Sequence, residues 1–318
     1  MVELRIESGQ KLQAPVTEGG LTWTTYRQGA PSSLTFTVIP DAGLTVQEGD
    51  RVRLRVDNQN VFYGYVFSKR RGPNRKIAVT AYDQLRYLKN KDSMIYTGLR
   101  ADEVVALIAQ NYGLSCGELE PTGYAIPCGD EENQTLFDII GNALRETQAN
   151  TGKEFVLYDD FGKLRLRNRE TWVAGIEINS ETARDFDYRS GIDGGSYNTV
   201  KLFCSDSAQK QSSPIVRQDA ELVKKWGVLQ YTERVNTLQN AENRAQTLLK
   251  QYSRKAKKLT VSGVFGDVRA RAGGKIAVNL NFWDDRAQGE MGIEKAVHVF
   301  SGSRYEMELT LTGGGFDA

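Results

Sequence analysis

Residues Ser33–Asn90 read SLTFTVIPDAGLTVQEGDRVRLRVDNQNVFYGYVFSKRRGPNRKIAVTAYDQLRYLKN, and this stretch decides the fold. Leu34, Phe36 and Val38 alternate with Thr35, Thr37 and Ile39. Val52, Leu54 and Val56 alternate with Arg51, Arg53 and Arg55, and Ile77, Val79 and Ala81 with Ala78, Thr80 and Tyr82. Successive side chains of a strand point to opposite faces, so a two-residue period marks strands with one face buried. The separators are turn formers: Pro40-Asp41-Ala42-Gly43, Glu48-Gly49-Asp50, Asp57-Asn58-Gln59-Asn60 and Gly72-Pro73-Asn74. Strands this close, joined by short polar turns, predict an antiparallel meander that closes into a small barrel.

Outward from that stretch, Val2–Ile6 and Leu21–Tyr26 predict further strands. Asp83 is placed to cap one helical turn that brings Leu85 and Leu88 to one side. The period then changes. Ala101–Tyr112 carries Val104, Leu107, Ile108 and Tyr112 at helical spacing, with Gly113 as a stop. Thr135–Thr147 is a second helix, Thr135 and Asp138 having the spacing of a capping box. Phe155–Tyr158 and Lys163–Arg167 flank Asp159-Asp160-Phe161-Gly162 as a hairpin. Asp, Gly and Ser crowd Asp185–Ser196, which predicts a boundary. Thr199–Cys204 opens a new strand region, Ser205–Pro214 reads as an exposed loop, and Asn240 caps a third helix. The expected division is an N-terminal barrel over 1–95, an α+β insert over 96–195 and a C-terminal barrel over 196–318, the fold class being mainly β with an α+β insert.

The last segment repeats the opening theme. Gly274–Leu280 mirrors Asp50–Val56, Val299-Phe300-Ser301 mirrors Val66-Phe67-Ser68, and Glu306–Leu311 mirrors Lys76–Ala81. Three matched pieces in one order predict two copies of one barrel.

Of the 318 residues, 40% are hydrophobic and 25% charged, ordinary for a soluble protein, and the formal charge of +1 argues against a dedicated nucleic-acid binder. No apolar run approaches the ~20 residues of a membrane span. MVELRIESGQ places charges where a signal peptide needs an apolar core, so export by that route is not expected. Cys116, Cys128 and Cys204 form no CxxC; they read as buried free thiols, a Cys116–Cys128 bridge staying open as the alternative.

Catalytic constellations are scarce. The one histidine, His298, lies in an alternating run and reads as a barrel-surface or interface residue. Neither a GxSxG elbow nor a GxxxxGK[ST] loop occurs, and three scattered cysteines with one histidine lack zinc spacing. Glu131-Glu132, Asp159-Asp160 and Asp284-Asp285 are the carboxylate clusters. Neighbouring residues on a strand or turn point apart, so none is by itself the paired device of glycoside cleavage. No catalytic residue, cofactor or metal is expected. Tyr63, Tyr65 and Phe67 line one face of a strand whose other face carries Phe62, Gly64 and Val66, so that strand is expected to be covered on both sides by a neighbouring subunit or the insert. Gly64 marks a bulge or a close backbone approach. Arg70 and Arg71 belong to the densest basic patch, read as a solvated hairpin tip or an intersubunit salt-bridge site. Tyr63, Gly64, Tyr65, Phe67, Arg70 and Arg71 are the interface candidates.

The same residues carry a family likeness. LTFTVIPDAGL at Leu34–Leu44, EGDRVRLRV at Glu48–Val56, FYGYVFSKRR at Phe62–Arg71 and above all VTAYDQLRYLKN at Val79–Asn90 resemble the baseplate central hub proteins of contractile phage tails. The resemblance is to those of PBSX-type prophages, phage-tail-like bacteriocins and late-control proteins. It implies a structural, non-enzymatic virion component assembled in the bacterial cytoplasm. It further implies a homotrimer whose two tube-like barrels per chain make a pseudo-six-fold ring between tail tube and central spike, with the tape-measure protein as a further partner. Neither membrane insertion nor sequence-specific nucleic-acid binding is implied. The competing readings are a tail-associated peptidoglycan hydrolase and a carbohydrate-binding tail-tip protein; the latter needs a platform of exposed aromatics, and Trp23, Trp172, Trp226 and Trp283 are too far apart in sequence to predict one.

Overall fold

The computed structural model describes residues 1–41, 43–72, 75–204, 214–235, 241–281 and 286–313. Ala42, Pro73 and Asn74 of two expected turns, most of the expected Ser205–Pro214 loop, the Asn240 cap, Trp283 and Asp284-Asp285 lie outside these residues.

In chain order the elements are β1 (Val2–Ser8), β2 (Lys11–Gln13), β3 (Thr17–Tyr26), β4 (Ser33–Val38), β5 (Arg51–Val56), β6 (Gln59–Arg71) and β7 (Ile77–Tyr82), followed by a 3-10 turn at Gln84–Lys89. Next come β8 (Lys91–Tyr96), β9 (Leu99–Arg100), α1 (Ala101–Asn111), β10 (Cys116–Leu119), β11 (Ala125–Ile126), β12 (Gly129–Thr135), α2 (Leu136–Thr151), β13 (Phe155–Asp159) and β14 (Leu164–Asn168). After them run β15 (Val173–Asn179), β16 (Asp185–Gly191), β17 (Thr199–Cys204), β18 (Ile215–Gln218), α3 (Ala220–Trp226), β19 (Gln230–Val235) and α4 (Ala241–Tyr252). The chain closes with β20 (Ala256–Phe265), β21 (Lys275–Asn281), β22 (Arg286–Ser301) and β23 (Arg304–Thr312).

The expected alternation forms the core. Leu34, Phe36, Val38, Val52, Leu54, Val56, Ile77, Val79 and Ala81 are all buried in one cluster. Ile276, Val278, Leu280, Met307, Leu309 and Leu311 are buried in a second. A third cluster lies between α1, α2 and the β13–β14 hairpin, and a small fourth joins α4 to β17 and to Ala149 of α2. Thr135 accepts the Asp138 N–H as the N-cap of α2, and Gly152 ends that helix at φ 74°. No helix among the described residues is long and apolar enough to cross a membrane.

Neither half closes into a barrel, which corrects the expected pair of barrels. A 13-stranded sheet runs β16-β20-β23-β22-β3-β4-β7-β6-β5-β1-β2, with β15 paired to β21 and β21 to β22. Closure would need each half to pair its own first and last strands. Instead the free edge of β3 is taken by the second half of β22, Tyr26 standing opposite Lys295 and Leu21 opposite Phe300. Strand β22 is 16 residues long, enough to pair β21 with its first half and β3 with its second. The two halves therefore share one open sheet.

The halves do share a strand order. β3-β4-β7-β6-β5-β1 and β16-β20-β23-β22-β21-β15 follow the same path, except that β1 is antiparallel to β5 while β15 is parallel to β21. The register fixes the equivalences. Val52 faces Gly64 and Ile276 faces Met291; Ala81 faces Val66 and Leu311 faces Ile293. Val66 exchanges hydrogen bonds with Gly49 and Asp50, as Ile293 does with Gly273 and Gly274. Val66 thus corresponds to Ile293, and the expected match of Val66-Phe67-Ser68 to Val299-Phe300-Ser301 is a chance likeness out of structural register. Both strands carry a bulge at the next residue, Phe67 in β6 and Glu294 in β22.

Glu294 is used at once. Its carboxylate accepts from Arg27 Nε (2.6 Å), from Arg169 Nη2 (2.8 Å) and from Thr312 Oγ1 (2.7 Å). Arg27 and Arg169 also reach Glu154 at 2.9 and 2.8 Å. The four charges form a closed ring that ties β3, the insert and β22 together. Arg169 is 7% exposed and lies where a side chain on Gly292 would have to be, a Cβ there falling 1.8 Å from its guanidinium. Despite burial, these cations hold the Glu294 carboxyl below the usual range. Removing one member of a buried ion network leaves its partners uncompensated. Glu294→Ala is expected to lower stability by on the order of 2–4 kcal/mol, read as the urea midpoint of the full chain.

Candidate assembly surface

The outer face of β6 and β7 gathers aromatic rings. Residues of one parity on β6 point into the core, where Phe62 and Val66 are 2% and 1% exposed. The other parity points outward and meets neighbours across the sheet. Tyr65 stands opposite Tyr82, and Phe67, two residues on and unpaired in the ladder, lies on the same side. Phe67 lies 5.5 Å from Tyr82 and 5.9 Å from Tyr87, with Tyr65 6.3 Å from Tyr87 and 5.9 Å from Tyr63. Arg53 sits over the Tyr63 ring and Arg86 over that of Phe67, at 5.6 and 5.4 Å. Burial raises the phenol pKa of Tyr63 and of Tyr87.

Part of this face is already covered from within the chain. Asp160 and Lys163 close a two-residue hairpin loop in which Phe161 and Gly162 have φ of 49° and 87°. That turn brings Phe161 to 5.6 Å from Tyr63, and a Cβ on Gly162 would lie 2.7 Å from the same ring. The insert therefore docks by its hairpin tip on Tyr63, while Tyr65, Phe67, Tyr82 and Tyr87 stay half exposed. Gly64 is a close approach: a Cβ there would be 2.3 Å from the Tyr82 carbonyl oxygen. Arg70 and Arg71 stand exposed at the far end of β6, apart from the rings. Of the six candidates the fold thus groups Tyr63, Tyr65 and Phe67 and leaves the two arginines separate. Tyr82, Tyr87 and Phe161 were missed. Tyr82 and Tyr87 stand in the quoted motif, but only the register and the 3-10 turn place them beside β6.

Under this face lies a sealed polar junction. Asp83 caps the 3-10 turn by accepting from Leu85 N–H (3.1 Å) and also accepts from Ser32 N–H (3.1 Å). Asp159 accepts from Gln84 Nε2 and Gly162 N–H, both at 2.8 Å, and its backbone carbonyl accepts from Arg271 at 2.5 Å. Burial pushes both carboxyls up, Asp83 to about 8, with Asp159's charge as its second cause, and Asp159 to about 6; Arg271 opposes both shifts. His298 is fully buried, not on the surface as expected. It stacks on Trp23 at 4.7 Å, donates from Nε2 to the Ala270 carbonyl (3.0 Å) and accepts from the Tyr305 hydroxyl at Nδ1 (2.9 Å). A carbonyl can only accept, so Nε2 carries a proton; burial lowers the imidazole pKa to about 4, which keeps the ring neutral at pH 7 and leaves Nδ1 as the acceptor. Cys116 and Cys128 are free and exposed, which corrects the expectation of buried thiols. Among the described residues no three His, Cys, Asp or Glu side chains are grouped to hold a metal ion.

These groups set opposite pH slopes. Asp83 and Asp159 have folded pKa values above the unfolded ~3.9, so their contribution is complete at low pH and is lost as pH rises through about 8. His298 has a depressed value, so its contribution is present above ~6.5 and is lost as pH falls towards about 4. Of these three groups only Asp83 still titrates above ~7. The urea midpoint is expected to fall from pH ~7 to ~8.5, and Asp83→Asn to flatten that slope, whatever it does to the absolute midpoint.

Comparison with known proteins places this architecture. A family model described as YQBQ-like matches residues 21–312. The phage-like element PBSX protein XkdQ of Bacillus subtilis (strain 168) is 29% identical over 300 residues, covering 89% of each chain. Among solved structures, the 43 kDa tail protein of prophage MuSo2 from Shewanella oneidensis superposes with a TM-score of 0.72 at 12% identity, covering 97% of this chain and 98% of that one. The E. coli c3393 protein, described as a type VI secretion system component similar in structure to the T4 tail proteins gp27 and gp5, gives 0.58 at 11% identity over 97% of this chain and 76% of that one. At these identities the structural likeness is one of fold.

Proposed function

The chain belongs to the YQBQ-like family, and from that premise we propose that it is a structural, non-enzymatic protein of a phage tail or tail-like particle, serving as the baseplate hub. The likeness to XkdQ, a protein of the phage-like element PBSX, and to the MuSo2 tail protein supports the tail setting. In this reading three copies form a ring of six similar units between the tail tube and the central spike, next to the tape-measure protein, with the insert outside.

One observation carries the ring. The joint between the halves of a single chain is β3 laid on the second half of β22. The equivalent of β3 is β16, an edge strand whose one described strand partner is β20. The equivalent of that half of β22 is the end of β6 beyond Val66, where no described strand occupies the β5 side. Each chain thus offers one used joint and one matching unused pair of edges. Repeating the internal joint between chains is a heterologous contact that can close a ring and covers both of those edges. Thr25 faces Ala296 within the chain, and the equivalences turn that pair into Ser190 facing Lys69 of the next copy.

A wall-cutting enzyme is disfavoured because Asp83 and Asp159, among the described residues the carboxylates driven furthest towards the protonated form, are 1% and 2% exposed and out of reach of a polysaccharide. A sugar-binding platform is disfavoured because Trp23 and Trp172 are buried, at 1% and 9%. Purified protein is expected to leave a peptidoglycan gel uncleared; clearing abolished by one Asp or Glu substitution would sink the scaffold reading. The joint is tested with Lys69→Cys and Ser190→Cys in a chain lacking Cys116, Cys128 and Cys204. Mild oxidation of assembled particles is expected to link copies into covalent trimers. Particles that image with six copies per ring, or cross-linking no greater than in either single-cysteine chain, would refute it.

A further inference from the structure

We propose that the cleft between the end of α4 and the ends of β16, β20 and β23 binds a phosphate-bearing anion of about di- or triphosphate size. This goes beyond the assembly role and does not rest on it. The cleft measures about 530 Å³. Its chemistry starts in the sequence, where Arg254-Lys255-Ala256-Lys257-Lys258 follows α4 after one residue, Ser253. A helix end attracts cations, and one or two would satisfy the α4 dipole. Here a second element adds to them. Strand β16 sets Arg189 directly opposite Lys258, and Ser190 opposite Lys257. Like charges facing each other across paired strands repel, and a sequence that keeps them there breaks a local rule.

The neutralising charge at hand is small. Arg189 pairs with Asp187 at 2.9 Å, both exposed, and Asp187 also feels Lys258. Asp193 is the carboxylate on the cleft wall. Among the described residues Arg254, Lys255 and Lys258 have no carboxylate within ion-pair distance. Arg169 reaches the cleft too, but its charge is held by Glu154 and Glu294. Facing the cations are Gly191 and Gly195, a wall without side chains on which an anion can come close to the backbone. A phosphate offers several acceptor oxygens to donors arriving from several directions, and Lys and Arg from two elements provide such donors.

The probe is inorganic tripolyphosphate, titrated calorimetrically into the full chain. Saturable binding at one site per chain is expected. Binding should weaken as NaCl rises from about 50 to about 300 mM. It should weaken about tenfold or more in Lys255→Gln with Lys258→Gln, and by less in Arg254→Gln alone. The substituted side chains lie on the surface, and unchanged circular dichroism confirms folding. An oligothymidylate that competes with tripolyphosphate supports the site with a phosphodiester as the source; one that fails to compete supports it with a free polyphosphate. No saturable binding to the wild-type chain, or binding unchanged in both variants, overturns the proposal. So does a Glu-rich peptide that binds more tightly than tripolyphosphate, since the cleft would then serve an acidic protein partner.

Discussion

The bulge at Glu294 is the constraint on which the rest of the molecule depends. Up to Ile293, β22 belongs to the C-terminal half and pairs with β21. Beyond Glu294 it pairs with β3 and belongs to both halves. A bulge bends a strand and re-aims one side chain. Here the re-aimed side chain is a carboxylate, and it meets two arginines, one at the end of β3 and one from the insert. Sheet continuity and the ion ring are thus two consequences of one extra residue. The insert cannot shift without breaking the ring, and the halves cannot part without losing the β3–β22 ladder.

The same bulge occurs in β6 with Phe67 in place of Glu294. One backbone device has two uses. In the C-terminal half it builds a polar lock inside the chain. In the N-terminal half the bulged residue is a ring that lies beside Tyr82 and Tyr87, on a face the insert covers only at Tyr63. The halves diverge elsewhere too: β17 to α4 are inserted between β16 and β20, where β3 and β4 are joined by a short loop. Divergence of this kind makes one chain provide two unlike units with matching edges.

Buried ionisable groups at the junction pull against one another. The Asp83–Asp159 site favours protonation, the His298 site favours neutrality, and Glu294 is held charged by its arginines. Each state follows from its surroundings. Asp83 serves a cap and a backbone N–H in a place water does not reach, whereas Glu294 faces two guanidinium groups. Asp83 belongs to the motif on which the family likeness rests most heavily, and its job there is to join the 3-10 turn to the loop before β4.

Much of the local structure was written in the sequence. The period-two runs specified β4, β5 and β7 and which of their side chains are buried, because alternation alone decides the face once one face must be dry. Helical spacing placed α1, α2 and α4, and Thr135 marked where α2 begins for a similar reason: a cap is a contact between near neighbours. The Tyr63, Tyr65 and Phe67 stripe was legible because residues of like parity share a face. What the sequence could not decide was every relation between distant segments. Closure was misjudged, since a barrel and an open sheet have the same alternation and differ only in which edge β3 meets. The Val-Phe-Ser likeness misled, because register depends on bulges and partner strands. Asp185–Gly191 gave no strand signal, its polar residues being tolerated at an edge. Arg27, Glu154, Arg169 and Glu294 are ordinary surface-type residues in the chain, and His298 resembles a surface histidine. Only the tertiary fold brings the four charges together or seals the imidazole against Trp23, because burial and charge pairing belong to the packed arrangement and to no segment alone.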